Sequence, residues 1–228
     1  MQKGTANRDI DNLNKMIRTI FQRDRIDQDV PFAGTRISGG YTGQRTAYLP
    51  KFVQDEILKE GVFDDLNEEA RRVVYLIVET GLRLSEACNL TRETIILDAE
   101  VPHIIALPDG RRMKTRQSQR EIPLVGVALE AMKLSPNGFP RYREKADTLS
   151  ALMSKAFKAR KFNLTEKHSL YSLRHTFEDR LIAVETPEKV VASLMGHAYS
   201  RPRYGLGPSL AQKHKWLSDI AFRAPSRL

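Results

Sequence analysis

Three side chains in this sequence, Arg83, Arg174 and Tyr204, are of types that together with a lysine can break and remake a phosphodiester bond. A tyrosine hydroxyl can attack a phosphodiester and store the bond as a phosphotyrosine. Because the free phenol has a pKa of about 10, it needs help to lose its proton. Two arginines can supply planar donors to the charge on the non-bridging oxygens, and a lysine can protonate the departing oxygen. This chemistry requires no metal ion, and the sequence contains no metal-binding pattern.

Each segment has an ordinary structural interpretation when it is taken alone. Arg83 and Glu86 are three residues apart in GLRLSE, which is typical of a surface ion pair on a helix. Tyr171 and Arg174 share a helix face, and His175 is turned by about 100° from Arg174. A histidine in such a place is ordinarily a hydrogen-bonded structural residue. No one of these motifs identifies a site by itself.

His197 and Tyr204 lie seven residues apart near the end of the chain. Gly196 predicts the end of a helix directly before His197. Tyr204 lies in RPRYGLGP, whose prolines and glycines indicate a loop or a short turn. A tyrosine in a loop is ordinarily an exposed aromatic residue, so its role depends on the side chains that the fold places beside it.

Hydrophobic periodicity predicts that helices carry most of these residues. Asn67 suits the N-cap of a helix that Gly81 ends. Pro50 suits the first turn of another helix, and Thr186 followed by Pro187 suits the start of a third. The predicted helices cover residues 8–22, 50–60, 67–81, 84–90, 125–133, 148–161, 171–184, 187–195 and 209–222.

A short β region interrupts the helices. Residues 95–97, 103–107 and 120–124 are strand-like runs, and PDG after the second run indicates a turn. We expect a small sheet of two or three antiparallel strands. The predicted fold class is therefore mainly α with a small antiparallel β-sheet (α+β).

The charge of the chain is unevenly distributed. Its 228 residues include 37 Lys and Arg against 28 Asp and Glu, a net charge of +9. Five basic residues without an intervening acid lie between positions 111 and 120, and a further pair follows His197: Arg111, Arg112, Lys114, Arg116, Arg120, Arg201 and Arg203. Such clusters are typical of nucleic-acid binding, although a basic surface without that function has the same composition.

The sequence predicts an intracellular protein. It contains no apolar run approaching the roughly 20 residues of a membrane helix, and its first residues lack the apolar stretch of a secretory signal. Cys88 is the single cysteine, which rules out an internal disulfide, and its place in a predicted helix is typical of a small buried side chain.

Four segments, in the order GLRLSE, KTRQSQREIPL, LRHTF and LMGH and followed by a tyrosine, resemble the tyrosine recombinase or phage integrase family. The resemblance extends from about residue 48 to residue 220. It implies the catalytic domain of a DNA strand-breaking and rejoining enzyme that needs no cofactor. It also implies a cytoplasmic, nucleoid-associated protein of bacterial or phage origin.

The resemblance also implies roles for individual residues. The family's two arginines correspond to Arg83 and Arg174, the acid that supports the first to Glu86, and the general acid to Lys114. The remaining catalytic positions correspond to His197, which hydrogen-bonds the scissile phosphate, to Tyr171, and to the nucleophile Tyr204. The expected DNA contacts are Arg111, Arg112, Arg116, Arg120, His175, Arg201 and Arg203.

The sequence departs from the family at Tyr171, where a histidine is usual. A phenol can still donate a hydrogen bond to the phosphate, but it is a poor acid–base catalyst near neutral pH. His168 and His175 are alternatives for that role. The spacing from His197 to the predicted nucleophile is short for the family, which leaves Tyr199 as a rival nucleophile.

In the implied reaction the tyrosine forms a 3′-phosphotyrosyl bond and leaves a free 5′ hydroxyl, and two rounds of exchange pass through a four-way (Holliday) junction. The implied partners are double-stranded DNA and further copies of the chain, four at synapsis, with an accessory DNA-bending protein as a further option. The alternatives are a degenerate relative that binds DNA without cutting it, and a type IB topoisomerase, which acts on single duplexes.

The implied domain organisation has three parts. Residues 1–30 are expected to be the tail of an upstream helical core-binding domain, 31–47 a linker, and 48–228 the catalytic domain with its C-terminal helix. That last helix, 209–222, packs either on a neighbouring protomer or on its own core.

Overall fold

A computed structural model describes residues 3–38, 45–107, 119–197, 205, 207–226 and 228. The chain forms two compact units, one through residue 44 and one from residue 45 onward. Where the structure describes the chain, no helix is long and apolar enough to cross a membrane.

The first unit consists of helix α1 (Lys3–Asp24) and the segment that follows it. Two asparagines of the helix hold this segment. The Asn7 side chain donates to the Ile37 carbonyl at 3.1 Å and accepts from the Ile37 amide at 2.9 Å, and Asn14 donates to the Phe32 carbonyl at 2.9 Å. The segment therefore runs back along the helix. That this unit is the tail of an upstream domain stays a prediction.

The second unit contains most of the helices. In its described residues they are α2 (Pro50–Phe52), α3 (Glu68–Thr80), α4 (Leu84–Cys88), α5 (Gly126–Lys133), α6 (Ala146–Ala159), α7 (Ser172–Ala183), α8 (Glu188–Met195) and α9 (Leu210–Asp219). The predicted helices exist, but 50–60 is an α-turn that continues as a π-helix over Val53–Ile57. The N-cap of α8 is Pro187, not the predicted Thr186, and the helix begins at Glu188.

Helix α3 is the centre of the core. The Asn67 side chain caps it by accepting from the Ala70 amide at 3.1 Å, as predicted. Gly81 ends it with φ +60°, and a Cβ there would lie 2.3 Å from the Phe177 ring. Only glycine combines this left-handed conformation with so close an approach. The chain can therefore turn directly from the buried helix to Arg83.

The sheet has the predicted antiparallel arrangement. Its strands are β1 (Ile95–Ile96), β2 (His103–Ala106) and β3 (Arg120–Pro123), in the order β1-β2-β3. Ile104 of β2 lies opposite Ile95 and Ile122, and all three are buried. Together with the helices, this sheet confirms the predicted fold class, mainly α with a small antiparallel sheet.

The C-terminal helix α9 docks on the core of its own chain. Its Leu217 is fully buried, and the Lys213 ammonium donates to the Glu121 carbonyl of β3 at 2.9 Å. Burial lowers the pKa of Lys213, and the nearby Arg120 charge adds to this effect, while Glu121 opposes it. The single chain thus has the predicted packing of this helix on its own core. Packing on a neighbouring protomer stays a prediction.

A buried ion pair fixes the residues that follow α9. Arg180 of α7 donates to the Glu79 carboxylate at 2.9 Å and to the Val78 carbonyl at 3.0 Å, and the two charged side chains are almost fully buried. The Arg180 guanidinium lies 3.6 Å from the centre of the Phe222 ring, and the Phe222 amide donates to Glu79. Burial raises the pKa of Glu79, an effect that the Arg180 charge and the Phe222 amide oppose.

Candidate active site

Arg83 lies directly before α4, and Glu86 in the first turn of that helix holds it in place. One carboxylate oxygen of Glu86 accepts from the Arg83 backbone amide at 2.8 Å, and the other accepts from the Arg83 Nη1 atom at 2.8 Å. The Arg83 side chain remains 41% exposed, whereas that of Glu86 is 5% exposed. The pair is therefore not the surface ion pair that the spacing alone suggests. It is a buried acid that orients an accessible guanidinium.

Arg120 is the second partner of Glu86. It donates to both carboxylate oxygens, at 3.1 and 2.9 Å, and its side chain is 3% exposed. The sequence predicts a DNA contact for Arg120, whereas in the structure its guanidinium is bonded to Glu86 and to the Leu194 carbonyl. A contact to DNA by this residue stays a prediction. Burial would raise the pKa of Glu86, but hydrogen bonds and charge from Arg120, with the contribution of Arg83, outweigh it and lower the pKa.

Arg174 lies one turn into α7 and is almost completely buried. Its guanidinium donates to the Gly81 carbonyl and, at 2.6 Å, to the Met195 carbonyl. These bonds join the segment before Arg83 to the end of α8. Burial and the positive charge of Arg83 lower the pKa of Arg174. The bond to the Gly81 carbonyl places Arg174 beside the segment that carries Arg83, the other predicted catalytic arginine.

His197 follows the left-handed Gly196 and faces Arg174. The Arg174 Nη2 atom lies 3.3 Å from the His197 Nε2 atom, and the His197 Nδ1 atom lies 3.8 Å from the Glu178 carboxylate. Burial and the Arg174 charge lower the pKa of His197, while Glu178 opposes them. Sequence reasoning missed Glu178, although its position one helical turn after Arg174 places both on the same face.

Tyr171 lies at the N-cap of α7, where its side chain is accessible. The residue is 45% exposed, and its ring meets that of His175 edge-on at 5.3 Å. His168, an alternative for the role of Tyr171, is buried. Its ring is 2.9 Å from the Thr165 hydroxyl and packs on Tyr48. The structure therefore favours Tyr171 and His175 over His168 as groups able to meet a ligand beside Arg174.

A cavity of about 370 Å³ lies beside these residues. Arg174 and Tyr171 form one part of its wall, and Leu82, Leu84 and Ser154 contribute to the rest. Arg174, although almost completely buried, is one of the residues that line this cavity. Among the described residues, no three His, Cys, Asp or Glu side chains are grouped as a metal site would require.

The other predicted site residues lie outside the described residues. They are Lys114, Tyr204, the rival Tyr199, and the expected DNA contacts Arg111, Arg112, Arg116, Arg201 and Arg203. The described chain leads to both segments: β2 and β3 flank 108–118, and His197 precedes 198–204. The site that the structure shows is therefore Arg83, Glu86, Arg174 and His197, with Tyr171 and His175 at its edge.

Known proteins share this fold. The Tn1549 transposon integrase in complex with circular intermediate DNA aligns with a TM-score of 0.60 and 18% identity, over 95% of this chain and 75% of that one. A lambda integrase (75–356) dimer bound to a core site aligns with a TM-score of 0.59 and 14% identity, over 95% and 74% of the two chains. At such identities the likeness establishes the fold alone.

Sequence comparison establishes the family. The tyrosine recombinase XerC of Bacillus subtilis is 25% identical in an alignment that covers 86% of this chain and 69% of that protein. The model of the phage integrase family matches residues 49–201, which include every predicted catalytic position except Tyr204. The chain belongs to the phage integrase family, the tyrosine recombinases, whose members break and rejoin DNA strands.

Proposed function

We propose that the chain is a site-specific DNA recombinase that cleaves and rejoins strands through a 3′-phosphotyrosyl bond at Tyr204. The observation that carries the proposal is the joining of Arg83, Arg174 and His197 in one site, with Arg174 bonded to both segments that hold the other two. The names of the relatives, a tyrosine recombinase and integrases bound to DNA, support double-stranded DNA as the substrate.

The proposed reaction conserves the phosphodiester bond energy. The Tyr204 oxygen attacks phosphorus and releases its proton to solvent. The bond from phosphorus to the 5′ oxygen breaks, and Lys114 gives that oxygen its proton. The two guanidiniums of the site stabilise charge on the non-bridging oxygens, and they act strongly because the site is partly buried. A 5′ hydroxyl then attacks the phosphotyrosine and its proton returns to Lys114. The bond from phosphorus to the Tyr204 oxygen breaks, and the departing phenolate takes a proton from solvent.

His197 and Tyr171 complete the contacts to the phosphate. His197 donates through its imidazole, and the Tyr171 hydroxyl donates in the place of the usual histidine. Because two duplexes exchange two strands each, we propose that four copies of the chain act together. An accessory DNA-bending protein remains a prediction from the resemblance.

The proposal is tested by trapping the covalent intermediate. Purified wild type, Tyr204→Phe and Tyr199→Phe proteins are incubated with supercoiled plasmid and quenched with detergent. We expect a protein–DNA adduct from the wild type and from Tyr199→Phe, and none from Tyr204→Phe, because phenylalanine lacks the attacking oxygen.

Other results would change the proposal in defined ways. Loss of the adduct in Tyr199→Phe alone would move the nucleophile to that residue. An adduct that survives in both variants would contradict a tyrosine nucleophile in this segment. Plasmid relaxation without any joining of two marked duplexes would favour the topoisomerase alternative.

A further inference from the structure

Arg120 is buried at a junction between three elements of the active-site unit. It is the first residue of β3, directly after the segment that carries Lys114. Its side chain is 3% exposed, so desolvation of the guanidinium is compensated by partners within the protein. Those partners lie on α4 and at the end of α8.

The first contact is a two-pronged ion pair with Glu86. One Glu86 oxygen accepts from Arg120 Nη1 at 3.1 Å and from Arg83 Nη1 at 2.8 Å. The other accepts from Arg120 Nη2 at 2.9 Å and from the Arg83 backbone amide at 2.8 Å. Each oxygen thus bridges the buried arginine and the accessible one. Arg120 thereby fixes the carboxylate that in turn fixes Arg83.

The second contact is with the end of α8. The Arg120 Nε atom donates to the Leu194 carbonyl at 2.8 Å. The guanidinium also packs against Gly196, where a Cβ would lie 2.8 Å from the Arg120 Nη1 atom and the backbone has φ +64°. The turn that precedes His197 therefore packs directly against the Arg120 side chain.

We propose that Arg120 is a positioning residue that assembles the active site, holding Arg83 through Glu86 and His197 through the end of α8. This role replaces a contact to DNA, and its catalytic meaning rests on the proposed function. Lysine cannot replace it, because a single ammonium group does not present the planar fork that spans Glu86 and the Leu194 carbonyl together.

The proposal is tested by measuring DNA affinity, thermal unfolding and the rate of adduct formation separately for an Arg120 variant. We expect Arg120→Lys to bind DNA with unchanged affinity and to form the covalent adduct about ten to a hundredfold more slowly at saturating DNA, because the reacting groups are misplaced. The rate is expressed per folded molecule, from thermal unfolding of the same sample. The matched control is Arg180→Lys, which weakens another buried arginine–glutamate pair and leaves this rate unchanged.

Two results would overturn the proposal. In the first, Arg120→Lys binds DNA more weakly, the slope of the logarithm of the binding constant against the logarithm of salt concentration falls by about one, and the rate at saturating DNA is unchanged. That result would make Arg120 a phosphate contact. A loss that disappears when the rate is expressed per folded molecule would make its role structural only.

A second readout does not depend on activity. Carboxyl NMR of protein labelled with ¹³C-glutamate, with Glu86→Gln to assign the signal, follows the titration of Glu86. In Arg120→Gln we expect Glu86 to titrate at higher pH, because the Arg120 charge and its hydrogen bonds to the Glu86 carboxylate are lost. An unchanged titration would contradict the proposal even if the wild type formed no adduct, whereas a missing adduct alone would count against the proposed function.

Discussion

We expect the Arg174→Lys variant to form the covalent DNA adduct at least about a hundredfold more slowly than the wild type. Arg174 donates at once to the Gly81 and Met195 carbonyls and lies against His197. A lysine keeps the charge but cannot reach both carbonyls and a phosphate oxygen. Single-turnover adduct formation at saturating DNA measures the effect on the chemical step.

The matched control for Arg174→Lys is Arg143→Lys, a charge-conserving change at an exposed arginine that has no catalytic position in the proposal. We expect this control to react at the wild-type rate. If Arg174→Lys also kept the wild-type rate while remaining folded, the assignment of Arg174 to the phosphate clamp would be wrong.

The largest expected effect on stability is at the buried ion pair. Glu79→Gln removes the negative charge but nearly keeps the shape, so the Arg180 guanidinium becomes an uncompensated buried charge. We expect a loss of about 3–5 kcal/mol in the free energy of unfolding. Because Phe222 contacts both members of the pair, hydrogen exchange at its amide should also become faster.

Two further variants distinguish the effect of the Glu79–Arg180 pair on stability from the effect of removing any charged side chain. Adding Arg180→Met to Glu79→Gln should restore part of the stability, because no unpaired charge is then buried. Lys51→Ala, which breaks an exposed pair with Asp55, should leave the thermal midpoint unchanged. Equal midpoints for the wild type and Glu79→Gln would show that the pair does not stabilise the docked C-terminal segment.

The helices and the sheet could be predicted because local sequence determines them. Asn67 and Gly81 bound α3 through a cap and a left-handed turn, and both are readable without any tertiary contact. The region after Pro50 was only partly predictable. Its apolar residues have helical spacing, but the choice of a π-helix over Val53–Ile57 depends on packing that periodicity does not report.

The active site, like the fold, was predictable from the sequence only in part. Motif order identified Arg83, Arg174 and His197, and the structure brings these three together. The buried position of Arg120 could not be predicted, because its partners Glu86 and Leu194 are 34 and 74 residues away in the sequence. A basic run predicts a basic surface, and only the fold determines which of its members turns inward.

The residue that carries the DNA can be identified directly by mass spectrometry. Adduct trapped from wild-type protein is digested with nuclease and protease, and the peptide bearing a nucleotide is sequenced by mass spectrometry. We expect a 3′-linked nucleotide on Tyr204. A nucleotide on another residue, or one linked through its 5′ phosphate, would contradict the proposed reaction.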